Sequence, residues 1–171
     1  VMGSSIIGLE DHTPQNIDQV IDWAVSHEAD FHQFMLYTPT PGTPFYEKIS
    51  RANALRGESE IEWADIHGQW RFNYHHPHIN DGQESEFLLR AFRRDFEMNG
   101  PSVVRMMSTL MKGWKRYKNH PEERIRRRFV MEIEKMPVVY AAALWAARHW
   151  FRENSGIAGK IRDLLDCVYG E

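Results

Sequence analysis

The chain has 171 residues, 42% apolar and 26% charged, with a formal net charge of −3 and a single cysteine, Cys167. That is the composition of a globular chain with enough length for a sizeable core and for one domain or one and a half. It excludes a disulfide-stapled framework, and no apolar run approaches the roughly 20 residues of a membrane-spanning helix.

The opening Val-Met-Gly-Ser-Ser-Ile-Ile lacks the basic region and cleavage site of a secretory leader. One cysteine fits a reducing compartment, so a cytoplasmic location is expected. Charge is uneven along the chain. Residues 1–50 hold seven acidic groups and one basic group, Lys48, whereas residues 112–128 hold eight basic groups and two acidic ones. The two ends are therefore expected to face different neighbours.

The first fifty residues predict β-α-β. Val1–Leu9 is apolar and β-branched around Ile6 and Ile7, the pattern of a strand buried on both faces as in a parallel sheet. Thr13 offers an N-cap oxygen and Pro14 suits a first helical position. Asp11 adds a negative charge near that helix start. Ile17, Val20, Ile21, Ala24 and Val25 then recur at helical spacing. Phe31–Tyr37 is a second apolar strand, and short connections predict a right-handed parallel crossover. Two parallel strands with one helix leave an edge unpaired and a face uncovered. The chain also begins inside a strand. The expectation is thus the carboxyl-terminal part of a larger enzyme, and the alternative is a small α/β domain whose first strand starts at residue 1.

Residues 44–50 predict a short helix, and residues 51–80 are irregular, with Trp63, Trp70, Phe72 and Tyr74 scattered among polar side chains. Asp81 with Glu84 has the spacing of a capping box. The helix after it carries Leu88, Leu89, Phe92 and Phe96 and stops at Gly100. Pro101 and Ser102 open another, with Val103, Met106, Met107, Leu110, Met111, Trp114 and Tyr117 on one side. Pro121 begins a third with Ile125, Phe129 and Ile133. Pro137 interrupts it, and a further segment with Tyr140, Leu144 and Trp145 runs to about Asn154. Residues 156–169 make a last short helix. The fold class is α/β followed by mainly α, divided as residues 1–57, an irregular linker over 58–80, and a helical domain over 81–171.

The densest signal lies at residues 34–44, where an apolar run ends in three prolines, a glycine and three threonines. Proline lacks a backbone N–H and fixes φ, so the strand must stop and a stiff loop must follow. In α/β folds, ligands sit beyond the carboxyl ends of strands. Tyr37-Thr38-Pro39-Thr40-Pro41-Gly42-Thr43-Pro44 resembles the sixth-strand segment of radical S-adenosylmethionine enzymes of the subgroup that often carries a cobalamin domain. Ser4-x-Ile6-x-Gly8-x-x-Asp11 resembles the fifth-strand pattern of the same family, with Ser4 in place of a glycine and Asp11 in place of a glutamate.

The resemblance implies the last strands and helices of a partial (β/α)6 TIM-like barrel followed by a helical cap. It implies that Ile6 packs against the adenine of S-adenosylmethionine, that Gly8 lets the chain turn, and that Tyr37, Thr38 and Pro39 border the adenine edge. The whole enzyme would cleave S-adenosylmethionine to a 5′-deoxyadenosyl radical and, with cobalamin, transfer a methyl group to an unactivated carbon of a small organic substrate. The upstream barrel and cobalamin domain of the same protein would be its neighbours. The family's [4Fe-4S] cluster needs three thiolates, and Cys167 is alone. No cluster, cobalamin or catalytic residue is therefore expected to be retained by these 171 residues.

Other groups carry weaker alternatives. His67, His75, His76 and His78 contain no helical i, i+4 pair, so a solvated or substrate-facing loop is expected rather than a metal site. Glu10 and Asp11 suit either acid–base chemistry or a turn. Met106, Met107, Met111, Met131 and Met136 are expected to fill core gaps. Lys112–Arg128 interleaves basic and aromatic residues as nucleic-acid surfaces do. The second functional reading is accordingly a free-standing helical module that binds an acidic partner or RNA through that arginine-rich face.

Overall fold

The computed structural model describes residues 1–62, 65, 69–134 and 136–169. Trp63 and His67 lie outside the described residues. The elements are β1 (Met2–Ile7), α1 (Ile17–Val25), β2 (Phe31–Leu36), α2 (Pro44–Arg51), α3 (Gln83–Asn99), α4 (Ser102–Tyr117), α5 (Glu123–Ile133), α6 (Met136–Trp150) and α7 (Ser155–Tyr169). None of the described helices is long and apolar enough to cross a membrane.

The strands pair as one two-stranded sheet. Phe31 N donates to Val1 O at 3.3 Å and Tyr37 N to Ile7 O at 2.8 Å. The partner residue advances in the same direction on both strands, so the pairing is parallel. Burial alternates along both strands, in contrast to the two buried faces expected of β1. Ile7, His32, Phe34 and Leu36 turn inward, while Ile6 at 40% and Met35 at 42% exposure turn outward. Only one sheet face has a helical layer against it among the described residues.

The chain divides into two compact units. The first comprises residues 2–28 and 32–97, and the second Val1, Ala29–Phe31 and residues 98–171. In the first, Ile7, Phe34 and Leu36 of the sheet, Ile17, Ile21, Ala24 and Val25 of α1, and Phe87, Leu88 and Ala91 of α3 share one core with Phe72, Tyr74 and Ile79. α3 thus belongs with the sheet, whereas the expected boundary at residue 81 groups it with the later helices. Arg90 and Arg94 of α3 pair with Asp18 and Asp22 of α1 at 2.7 and 2.8 Å.

The helix starts follow the sequence in part. Thr13 N donates to Asn16 Oδ1 at 2.8 Å and Asn16 N to Thr13 Oγ1 at 3.3 Å, a reciprocal box that closes the turn leading into α1. Thr43 Oγ1 accepts from Tyr46 N at 3.2 Å, and Pro44 occupies the first turn of α2. The box expected of Asp81 and Glu84 is displaced by one residue, because Gln83 Oε1 accepts from Asn80 N at 3.0 Å. Asp81 instead bridges Arg56 at 2.7 Å and His75 at 2.9 Å. The buried face of α3 also differs from expectation. It is Glu84, Phe87, Leu88, Ala91 and Asp95, while Leu89, Phe92 and Phe96 are exposed.

The second unit has its own core of Val104, Met107 and Met111 from α4, Leu144, Ala147 and Phe151 at α6, and Ile157, Ile161, Leu164 and Leu165 from α7. Met107 and Met111 fill it as expected, but Met131 is exposed and the side chain of Met136 lies outside the described residues. In α6, Leu144 is buried and Trp145 is 69% exposed. Side chains of α5 are at most half-buried.

Candidate functional site

The carboxyl ends of β1 and β2 converge on the residues singled out by the sequence. β1 ends in a turn at Gly8, whose φ of +87° favours glycine. His12 N closes that turn by donating to Leu9 O at 2.8 Å. Ile6 stands on the outward sheet face. Tyr37 and Thr38 are half-buried, and Pro39 is fully buried. The Tyr37 ring stacks on Phe45 of α2 at 4.1 Å, and Phe45 meets Tyr74 edge-on at 5.5 Å. The proline loop is thereby held against α2 by aromatic contact as well as by its own stiffness.

Residues 72–79 form a strap over the end of β1, which sequence reasoning missed. Phe72 lies against Gly8 so closely that a Cβ there would sit 2.2 Å from Phe72 Cζ. Tyr74 Oη donates to Gly8 O at 3.3 Å. Burial pushes the Tyr74 phenol well above its ordinary range, with the Tyr37 and Glu10 charges adding to the shift. Asn73 Nδ2 donates to Pro39 O at 3.1 Å, tying the strap to the β2 loop as well. The antiparallel bridge between Leu55 and Tyr74 anchors its start.

Two histidines complete the closure. His76 Nδ1 accepts from the backbone N–H of His78 and of Ile79, each at 3.1 Å. Its Nε2–H therefore donates to Leu9 O, at 3.1 Å. His12 Nδ1 accepts from the N–H of Gly8 at 3.1 Å and of Leu9 at 3.2 Å. Burial lowers the pKa of both rings, over the opposing pull of Asp11 on His12 and of the Leu9 carbonyl on His76. His76 is thus a buried structural group rather than part of a solvated loop. His75 is engaged by Asp81, and no group of potential metal ligands occurs among the described residues. Glu10 pairs with Lys48, and Asp11 offers its carbonyl to Asn16 Nδ2 at 2.9 Å.

Beside β2 lies a groove of about 900 Å³ lined by Gln33, Met35, Trp70, Arg71, Phe72 and Phe92 among others. That volume falls in the range of small-molecule sites, and the lining mixes aromatic surface with a few polar groups, as such sites do.

The arginine-rich segment is largely engaged within its own unit. Arg124 pairs with Glu122 at 3.3 Å and Arg128 with Glu132 at 2.9 Å. Arg126 Nη1 donates to the carbonyls of His120 and Pro121 at 2.6 and 3.0 Å. Trp114 packs against the helical core as expected, and Tyr117 stacks on Phe129 at 4.8 Å.

No family model matches the chain. Over 91 residues, 53% of its length, it is 29% identical to an uncharacterized methyltransferase of Pyrococcus horikoshii. The match spans 19% of that protein, so the chain corresponds to about a fifth of the relative's length. No solved structure matches.

Proposed function

We propose that residues 1–50 are the final two strands of an S-adenosylmethionine-binding barrel in a methyl-transferring radical enzyme, with the later helices as its cap. The observation that carries this reading is the outward sheet face. It presents Ile6 and Met35 to open space directly beside the stiff Tyr37–Pro44 turn. An apolar face of that kind suits a flat heteroaromatic ring, and a proline-fixed backbone supplies hydrogen-bonding groups at little entropic cost. The partial similarity to a protein named a methyltransferase supports transfer of a methyl group.

In this reading Ile6 packs against the adenine, Tyr37 and Thr38 offer backbone groups to its edge, and buried Pro39 sets their position. Gly8 supplies the turn and a seat for Phe72, which covers one side of it. The groove beside β2 supplies room for a small organic substrate. The cluster does not fit this chain, since Cys167 is its single thiol. The protein's own contribution is to bind, orient and exclude water; radical chemistry belongs to the bound groups.

The test is equilibrium binding of S-adenosylmethionine to the full-length protein that contains this chain, wild type against Ile6→Asp. The expected result is at least tenfold weaker binding by the variant with the fold intact. Equal affinity of the two, or a folded wild type that does not bind S-adenosylmethionine, overturns the reading.

A further inference from the structure

We propose that the strap over residues 72–79 is a proton-released latch, closed on the end of β1 while His12 and His76 are both neutral and opened when the two rings take up protons.

The geometry leaves neither ring room for a second proton. At His76, Nδ1 already receives two backbone N–H groups and Nε2 already donates to Leu9 O. A proton on Nδ1 would break both incoming hydrogen bonds and set a donor against two donors. His12 repeats the arrangement with Gly8 N and Leu9 N. Protonation of His76 unfastens the strap's far end, and protonation of His12 loosens the turn on which the strap rests. Of the remaining contacts, Phe72 against Gly8 and Tyr74 Oη on Gly8 O meet the turn itself, while Asn73 Nδ2 on Pro39 O and the Leu55–Tyr74 bridge hold the start of the strap.

The surrounding charges do not rescue the protonated forms. On the turn, Glu10 is paired with Lys48 of α2, and Asp11 is an exposed neighbour of His12 whose pull burial outweighs. On the strap, His75 is held by Asp81, which also binds Arg56, and His78 repels a charge on His76. Burial keeps the Tyr74 phenol neutral in this range.

The sign follows from linkage. A histidine whose folded pKa lies below its open-state value of about 6.5 stabilises the closed form above that pH and loses this contribution as pH falls towards the folded pKa. Where both rings titrate, two protons are linked to opening. The opening equilibrium then rises by up to about 100-fold per pH unit, or about tenfold with one ring. Opening releases His76 from Leu9 and frees the Gly8 and Leu9 peptide groups while Phe72 and Tyr74 stay in the core they share with α3, so access to the end of β1 becomes acid-dependent.

Amide hydrogen exchange, corrected for the intrinsic pH dependence, tests this between pH 7.5 and 5. The amides of Gly8, Leu9, His78 and Ile79 should lose protection as pH falls, while that of buried Ala91 in α3 keeps its own. In the double variant His12→Asn, His76→Asn, each Asn Oδ1 stands where Nδ1 accepts and cannot titrate; the four amides should stay protected at pH 5. Protection that is independent of pH overturns the latch, as does loss in step with Ala91, or an unchanged pH response in the double variant. If that variant does not fold, ring ¹⁵N shifts of the wild type decide. Both rings should be the neutral Nε2–H tautomer at pH 7.5, and a charged ring beneath a protected strap overturns the proposal.

Discussion

At Gly8 two demands coincide, a left-handed backbone and an aromatic ring pressed onto the Cα. Either alone favours glycine; together they make substitution costly. Gly8→Ala should lose about 2–5 kcal/mol in urea unfolding, combining about 1–2 for the positive φ with about 1–3 for overpacking against Phe72. Pairing it with Phe72→Leu should recover the steric part only, and a double-mutant cycle separates the two. Glu84 presents a different problem, a carboxylate with no exposure. Its Oε2 accepts from Gly82 N at 2.6 Å, and its Oε1 lies 3.9 Å from Arg56 Nη2. Glu84→Ala should cost about 1–3 kcal/mol, chiefly by leaving the Gly82 N–H without its acceptor, since Asp81 still pairs with Arg56. Glu84→Gln keeps an acceptor for Gly82 and should cost less, again read from unfolding midpoints.

Among the elements, punctuation was the legible part. Pro44, Gly100, Pro101 and Pro137 lie at or within a residue of helix ends by steric rules that need no partner, whereas α1 starts at Ile17 rather than at Pro14. The facing of helices was less legible. Phe92 and Phe96 have the spacing of a buried stripe, yet α3 buries Glu84 and Asp95 in line with Phe87, Leu88 and Ala91. Period alone cannot say which of two adjacent stripes meets the sheet when buried charges find partners. The Asp81–Glu84 spacing misled for a related reason, since Arg56 and His75 claim Asp81 from outside the helix. Packing of α4 on α5 depends on a small residue: a Cβ at Gly113 would lie 2.7 Å from Phe129 Cε1. Gly113→Ala should therefore destabilise by up to about 2 kcal/mol, as about 1–3 of crowding is set against about 1 gained in helix propensity. Thermal unfolding of that variant alone and with Phe129→Leu checks this, and the second change should restore the helix-propensity gain.

For the whole chain, the candidate site was legible where local chemistry builds it and illegible where distant residues do. The Tyr37–Pro44 turn announces itself through prolines. The strap does not, because Tyr74 and His76 reach Gly8 and Leu9 across 66 and 67 residues. The outward sheet face also sets a whole-molecule prediction. Met35→Asp should change the stability of these 171 residues by no more than about 0.5 kcal/mol, since the side chain meets no core here. If further strands close over this face in the full-length protein, the same change should cost several-fold in soluble yield or substrate turnover there. The two-stranded sheet carries a last consequence. Among the described residues neither margin carries a further strand, and the backbone N–H and C=O groups of such an edge are the template on which identical chains stack. Preparations of this chain alone should scatter light increasingly with concentration and time, and lysine placed at Gln33 on the strand margin should slow that growth.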